Sequence, residues 1–115
     1  MHELGIAFHI IKITDEYAEK NNLKEIGELT LEIGEVSSVV PSYLQDVWKW
    51  ACLNRSEHMK DCKLNIVVLK AISYCEDCKK TYDTVKNGRK CPYCGGNHTY
   101  LVEGNELTIR SIEAK

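Results

Sequence analysis

Residues 75–94 have the sequence CEDCKKTYDTVKNGRKCPYC, in which two Cys-x-x-Cys units are separated by 12 residues. A two-residue gap lets both thiolates of a unit turn toward one ion, and two such units complete a tetrahedron. Four soft thiolates suit zinc, and a site filled by protein ligands leaves no position open for a reactive water. The spacing therefore predicts a structural Zn2+ site formed by Cys75, Cys78, Cys91 and Cys94.

Two other chemistries use paired cysteines. A single iron for electron transfer is disfavoured by the short spacer and by the absence of glycine after Cys78. A thiol–disulfide exchanger needs only one Cys-x-x-Cys, normally at the start of a helix that follows a strand.

Gly95 and Gly96 follow the second unit, where a tight turn with positive φ is cheap only for glycine. Cys52 and Cys62 lack the paired spacing, and we expect them to pack as small apolar residues.

The segments on either side of this stretch have the hydrophobic spacing of two helices and three strands. Apolar residues recur at helical spacing in residues 4–20 and again from Pro41 to about residue 54. Alternating or β-branched apolar patterns predict strands over 26–36, 63–71 and 106–112. Two helices on one face of a small three-stranded sheet would bury all of these apolar faces at once, which predicts an α+β fold.

The cysteine-rich segment, residues 73–102, is predicted to be an inserted zinc-ribbon-like subdomain. It has few large aliphatic side chains, so it cannot build a core of its own. A fold of this size usually needs a metal or a disulfide, and the four cysteines can supply a metal site. The predicted organisation is therefore an α/β domain, residues 1–72 and 103–115, with a structural zinc domain inserted at 73–102.

The composition restricts the classes of function. The chain has 115 residues and a formal net charge of −2, which argues against a general nucleic-acid binder. The basic residues of segment 79–90 nevertheless keep a zinc-ribbon nucleic-acid-binding module open as an alternative. No apolar stretch approaches the roughly 20 residues that cross a bilayer, and no export signal is recognisable, which predicts a cytoplasmic protein without a membrane partner. No nucleophile–base pair or phosphate-binding glycine loop is present, so no enzymatic activity is predicted.

The chain start, Met1-His2-Glu3, offers a different metal chemistry. The α-amine of Met1, the amide nitrogen of His2 and its imidazole Nδ1 can close two adjacent chelate rings around one ion. These nitrogens lie nearly in a plane, which matches the preference of Ni(II) or Cu(II). Glu3 or a more distant side chain such as His98 would supply a fourth donor. The alternative is a solvated terminal histidine followed by an acid that the helix dipole favours in the first turn.

Short motifs are spread along nearly the whole chain. They are Met1-His2-Glu3, Ile33-Gly34 with Glu35 and Ser38, the cysteine pairs with Pro92 and Gly95, Gly104-x-Glu106-Leu107, and Ser111-Ile112-Glu113. In this combination and order the sequence resembles the HypA/HybF family of nickel-incorporation proteins for [NiFe]-hydrogenase maturation. One departure is that Gly95 is followed by Gly96 and Asn97, where relatives often carry serine, but this changes no ligand.

The resemblance implies a nickel metallochaperone rather than an enzyme. It assigns His2 as the nickel ligand, Glu3 as its neighbouring acid and the four cysteines as zinc thiolates, with Ni2+ as transient cargo. The implied partners are the nickel-handling GTPase HypB and the hydrogenase large-subunit precursor, with urease accessory proteins as further partners and no nucleic acid. His98 has no certain counterpart in the family pattern.

Overall fold

The computed structural model describes residues 2–115, apart from the side chain of His2. The elements, in chain order, are α1 (His2–Lys20), β1 (Ile26–Gly34), α2 (Pro41–Arg55), β2 (Lys63–Leu69), β3 (Ile72–Cys75), β4 (Thr81–Asp83), α3 (Thr84–Asn87), β5 (Thr99–Glu103) and β6 (Leu107–Ala114). The strands form two three-stranded sheets, with orders β2-β1-β6 and β4-β3-β5. No helix in residues 2–115 combines the length and apolar character that crossing a lipid bilayer requires.

The predicted α+β class is confirmed, and the two long helices and the strands β1, β2 and β6 occupy the segments that the hydrophobic spacing indicated. The cysteine-rich segment contains elements that sequence spacing did not predict, namely β3, β4, β5 and the one-turn helix α3. These elements have three to five residues each. Segments this short are set by long-range pairing rather than by a periodic pattern of their own.

Contacts divide the chain into two compact units. The first comprises the chain up to Leu31 together with Val39–Val67 and Thr108–Lys115. Helices α1 and α2 pack against each other in this unit. Its buried side chains include Ala7, Ile10, Ile11, Ala18, Leu29, Leu31, Leu44, Trp48 and Ala51. The indole Nε1 of Trp48 donates to the carbonyl of Cys62 over 3.0 Å, which ties α2 to the chain entering β2.

The second unit comprises Glu32–Ser38 and Val68–Leu107. Strand β3 pairs antiparallel with β4, placing Ser73 opposite Tyr82, and antiparallel with β5 on its other edge. The core of this unit is small, formed by Tyr82 with Cys75 and Cys91 and with Cys78 packed against them. Three of these four residues are cysteines, so the stability of the unit depends on what those thiols bind.

Three chain segments cross within the second unit, at residues 34–36, 69–71 and 104–106. The N–H of Gly34 donates to the carbonyl of Glu106 over 2.7 Å, and Oε1 of Glu35 accepts from the N–H of Ala71 over 3.0 Å. Gly104 has φ +111°, and a Cβ there would overlap the backbone of Ala71. Only glycine adopts this conformation cheaply and fits the space. We call this arrangement the three-segment crossing.

The crossing explains why the compact second unit is larger than the cysteine-rich segment; the domain boundaries given above stay a prediction. The second unit takes in residues 32–38, 68–72 and 103–107 in addition to the predicted segment 73–102. The hydrogen bonds of the crossing join these flanking residues to one another, and the N–H of Thr84 donates to the carbonyl of Ala71 over 3.1 Å, which links them to the cysteine-rich segment. Sequence composition does not reveal such bonds, because they join segments that are far apart in the chain and most of them use main-chain groups.

Candidate metal centres

The structure brings Cys75, Cys78, Cys91 and Cys94 together, with their four Sγ atoms all within 4.8 Å of one another. The Sγ atoms of Cys75 and Cys94 are 3.6 Å apart, and those of Cys78 and Cys91 are 3.5 Å apart. Four sulfurs bound tetrahedrally at the zinc–sulfur distance of about 2.3 Å are separated by roughly 3.8 Å. The donor set and its spacing therefore fit a four-coordinate thiolate site with no position left for water.

The two cysteine pairs lie in turns of the same geometry. In the first, the N–H of Lys79 donates to the carbonyl of Cys75 over 2.8 Å, and Lys79 has φ +59°. In the second, the N–H of Gly95 donates to the carbonyl of Cys91 over 2.9 Å, and Gly95 has φ +74°. The first turn thus adopts the left-handed conformation with a lysine where the second has glycine, at the strain cost of a non-glycine residue.

The thiols differ in how readily they ionise. Burial raises the pKa of Cys78 to about 12, and its hydrogen bond with Cys91 acts in the same direction. Burial also acts to raise the pKa of Cys91, but the N–H groups of Cys94 and Tyr93 outweigh it and lower that pKa to about 7. The N–H of Tyr93 lies 3.4 Å from the Cys91 sulfur. These N–H groups stabilise a thiolate, which is the form that binds a metal.

His98 lies in the second unit beside the first cysteine pair. Its Nδ1 is 3.1 Å from Oδ2 of Asp77, and its carbonyl accepts from the N–H of Glu76 over 2.9 Å. A Cβ at Gly96 would lie 2.5 Å from the same Oδ2 of Asp77. Gly96 therefore leaves room for the carboxylate that orients His98. That His98 serves as an extra nickel ligand stays a prediction.

The N-terminal site lies partly outside the described residues, since Met1 and the imidazole of His2 are not among them. Glu3 is described and is buried, with 7% of its surface exposed. Its Oε2 accepts from the N–H of Val40 over 3.2 Å. Val40 is the N-cap residue of α2 and has no side-chain cap bond of its own. Glu3 therefore anchors the first turn of α1 to the start of α2.

Cys52 and Cys62 are buried free thiols in the first unit. Burial is the main cause that raises the pKa of Cys52 to about 12 and that of Cys62 to about 11. Both side chains are therefore protonated near neutral pH. This state suits small apolar core residues, as the sequence argument expected, and does not suit thiolate ligands.

Sequence reasoning missed one further cluster, formed by Glu19, Glu57 and His58. Their possible ligand atoms all lie within 4.8 Å of one another. The adjacent Glu57-His58 pair was visible as part of a polar stretch. Its approach to Glu19, near the C-terminal end of α1, depends on how the two helices pack. No spacing rule could have indicated it.

Known proteins are similar to this chain over nearly its full length. A family model described as hydrogenase/urease nickel incorporation, metallochaperone, HypA matches residues 1–114. The hydrogenase maturation factor HypA of Actinobacillus succinogenes is 32% identical over 115 residues, covering 97% of each chain. The hydrogenase maturation factor HybF of Klebsiella pneumoniae is 30% identical over 115 residues, covering 100% of each chain.

Two solved structures are also similar to nearly the whole of this chain. The solution structure of the Ni metallochaperone HypA from Helicobacter pylori matches with a TM-score of 0.72 at 26% identity, covering 97% of this chain and 96% of that chain. Another HypA solution structure matches with a TM-score of 0.74 at 27% identity, covering 100% of this chain and 97% of that chain.

Proposed function

Because the chain belongs to the HypA family of hydrogenase/urease nickel-incorporation metallochaperones, we propose that it binds Ni(II) at its N-terminus and delivers it to the [NiFe]-hydrogenase large-subunit precursor. The observation that carries the proposal is the full-length family match, which begins at residue 1 and so includes Met1-His2-Glu3. Urease is a second candidate client, since the family description names it.

Helix geometry supports a nickel site at the chain start. His2 is the first residue of α1, and the first N–H groups of a helix have no intrahelical acceptor. The amide nitrogen of His2 can therefore lose its proton to a metal without breaking a helical hydrogen bond. Together with the α-amine of Met1 and the imidazole of His2 it offers the planar nitrogen donors that Ni(II) prefers.

Glu3 supports the site by holding this turn in place. Its bond to the N–H of Val40 limits the positions that the first turn of α1 can adopt. A pre-positioned donor set loses less conformational entropy when it binds the ion. We propose that Glu3 acts in the nickel site at least through this positioning.

Zinc is proposed as the ion of the four-cysteine site. When bound, it cross-links the two turns and supplies folding free energy, but it has no open position for catalysis. This assignment fits a carrier, in which the fold must persist while the cargo ion comes and goes. Accordingly we propose that the protein is not an enzyme.

Selection and release of nickel depend on partners. Cu(II) binds nitrogen donors more tightly than Ni(II) does, so affinity alone cannot select nickel. We propose that the protein acts in the cytoplasm, receives nickel from the GTPase HypB and passes it to the hydrogenase precursor by exchange of ligands. A chelate at a chain start suits such exchange because few backbone atoms must move for release.

The decisive experiment is a nickel titration, by calorimetry, of an untagged chain that begins at Met1. His2→Ala should remove high-affinity nickel binding, whereas His9→Ala, which alters an exposed histidine of the same helix, should leave it unchanged. Acetylation of the Met1 amine should weaken binding even though His2 is intact, because the blocked amine can no longer donate to the ion. Equal affinity in the parent and His2→Ala would refute the proposal.

The zinc assignment has its own test. Cys91→Ser should lose zinc and unfold the second unit, since a structural zinc site contributes on the order of 10 kcal/mol to folding. Elemental analysis and thermal melting measure the two effects. Stoichiometric zinc and an unchanged melt in the variant would contradict the assignment.

A further inference from the structure

Glu19, Glu57 and His58 form a cluster in the first unit that the proposed nickel and zinc sites do not use. Glu19 lies in the last turn of α1, about 25 Å along that helix from His2. Glu57 and His58 follow the end of α2. The three residues bring one imidazole and two carboxylates to one place on the surface, with Glu19 and Glu57 exposed.

The backbone fixes which nitrogen of His58 faces the carboxylates. Nδ1 of His58 lies 3.1 Å from the carbonyl of Lys24, which can only accept, so Nδ1 carries a proton. Nε2 lies 3.7 Å from Oε1 of Glu19, is shielded from solvent and has no hydrogen-bond partner. A carbonyl bound to one ring nitrogen, with no hydrogen-bond partner on the other, is the arrangement that suits a metal-binding histidine.

In the neutral imidazole, the lone pair of Nε2 points among carboxylate oxygens that cannot donate a hydrogen bond. This arrangement is unfavourable unless a cation enters it. A proton neutralises one carboxylate only, whereas a divalent cation neutralises both and accepts the lone pair. Hydrogen bonding to the Lys24 carbonyl raises the pKa of His58, so a proton and a metal ion would compete for Nε2.

The loop that carries Glu57 and His58 is held firmly in place. The hydroxyl of Ser56 donates to Oδ1 of Asp15 over 2.8 Å and accepts from the N–H groups of His58 and Met59 over 3.2 and 2.9 Å. The carbonyl of His58 accepts from the N–H of Ile26 over 2.8 Å. These bonds tie the loop to α1 and β1, so the imidazole is positioned before any ion arrives.

We propose that Glu19, Glu57 and His58 form a second site for a divalent transition-metal cation of the zinc and nickel class. Imidazole and carboxylate ligands bind such ions at about 2.0–2.2 Å, which places any two ligand atoms within roughly 4.4 Å of each other. The present separations of up to 4.8 Å close with a small movement of the two exposed carboxylates. Three protein ligands leave a fourth coordination position open for water.

The test is a Co2+ titration of the full chain carrying His2→Ala, with the cysteine site loaded with zinc beforehand. This background removes the N-terminal chelate, and a sulfur-to-cobalt charge-transfer band would reveal any exchange into the cysteines. We expect one equivalent of Co2+ to bind without that band. His58→Asn retains a side-chain amide that can donate to the Lys24 carbonyl but lacks Nε2, and should weaken binding by about tenfold or more.

Carboxylate variants keep the test decisive if His58→Asn fails to fold. Glu19→Gln and Glu57→Gln alter exposed side chains, and each should weaken Co2+ binding severalfold without changing the melting temperature of the metal-free unit. Glu25→Gln is the control, because Glu25 lines a neighbouring cavity of about 140 Å³ but lies outside the cluster. The proposal is overturned if no Co2+ binds, if both cluster variants bind as the parent does, or if Glu25→Gln weakens binding as much as Glu57→Gln.

Discussion

Gly34 lies so close to Gly104 that a Cβ at Gly34 would overlap the carbonyl group of Gly104, although the two residues are far apart in sequence. The N–H of Val36 also donates to that carbonyl over 2.9 Å. Both glycines belong to the motifs that first linked this sequence to its family. The three-segment crossing gives these motifs a structural reason, because close backbone contact there excludes any side chain.

Gly34→Ala should destabilise the second unit by about 3 kcal/mol, because the added methyl meets backbone rather than a mobile side-chain end. Urea unfolding monitored by circular dichroism measures the change. The matched control is Gly5→Ala in α1, where a Cβ meets no atom within 4 Å. That variant should gain about 0.5–1 kcal/mol, since alanine favours a helix over glycine. Similar stabilities for the two variants would contradict the role of the crossing.

Glu3→Ala should lower the free energy of unfolding by about 1–3 kcal/mol, because the N–H of Val40 loses its acceptor in a partly buried place. Glu3→Gln retains an acceptor oxygen and should lose less than about 1 kcal/mol. Nickel affinity should follow the same order, with Glu3→Gln close to the parent. A glutamine variant of parental stability that loses nickel would show that the carboxylate binds the ion directly.

The parts of the fold that the sequence predicted are those that local rules govern. Helices α1 and α2 and strand β1 have periodic apolar patterns, and the cysteine pairs have a fixed spacing. Contacts between distant segments follow no such rule. The bond between Glu3 and Val40 joins residues 37 positions apart, and the approach of Glu19 to His58 depends on the packing of α1 against the end of α2.

Asp83 links stability to pH in the second unit. Its hydrogen-bonded ion pair with Lys70, 2.9 Å between Oδ2 and Nζ, is the main cause that lowers its pKa, and the N–H groups of Val85 and Lys86 add to it. A lowered folded-state pKa stabilises the protein above the ordinary aspartate pKa of about 4, and this contribution is lost as the pH falls through the folded-state value.

Asp83→Asn should therefore be less stable than the parent near neutral pH, and the difference should shrink as the pH falls below about 4 and through the lowered folded-state pKa of Asp83. Asparagine is also a good N-cap, so the change removes the charge of Asp83 and keeps a capping side chain at the start of α3. Unfolding curves of both proteins at matched pH values give the difference directly, and any acid release of the cysteine-bound ion affects both alike. A difference that stays constant across the range would rule out the ion pair as its source.

Lys79→Gly and Gly95→Ala should change stability in opposite directions, because the two residues take the same left-handed conformation in equivalent turns. A non-glycine residue with positive φ costs about 1–2 kcal/mol, and glycine costs about 0.5–1 kcal/mol in lost chain freedom. Lys79→Gly should therefore gain about 0.5–1 kcal/mol, and Gly95→Ala should lose about the same amount or slightly more.

Metal binding provides the measurement for this pair, since the binding and folding of a cysteine site are coupled. Competition with a zinc chelator should show tighter binding by about threefold in Lys79→Gly and weaker binding by about fivefold in Gly95→Ala. Lys80→Gly is the control, because it removes a neighbouring lysine without relieving a positive φ and should not bind zinc more tightly. Weaker binding in Lys79→Gly would mean that the lysine side chain contributes more to the first turn than its backbone strain costs.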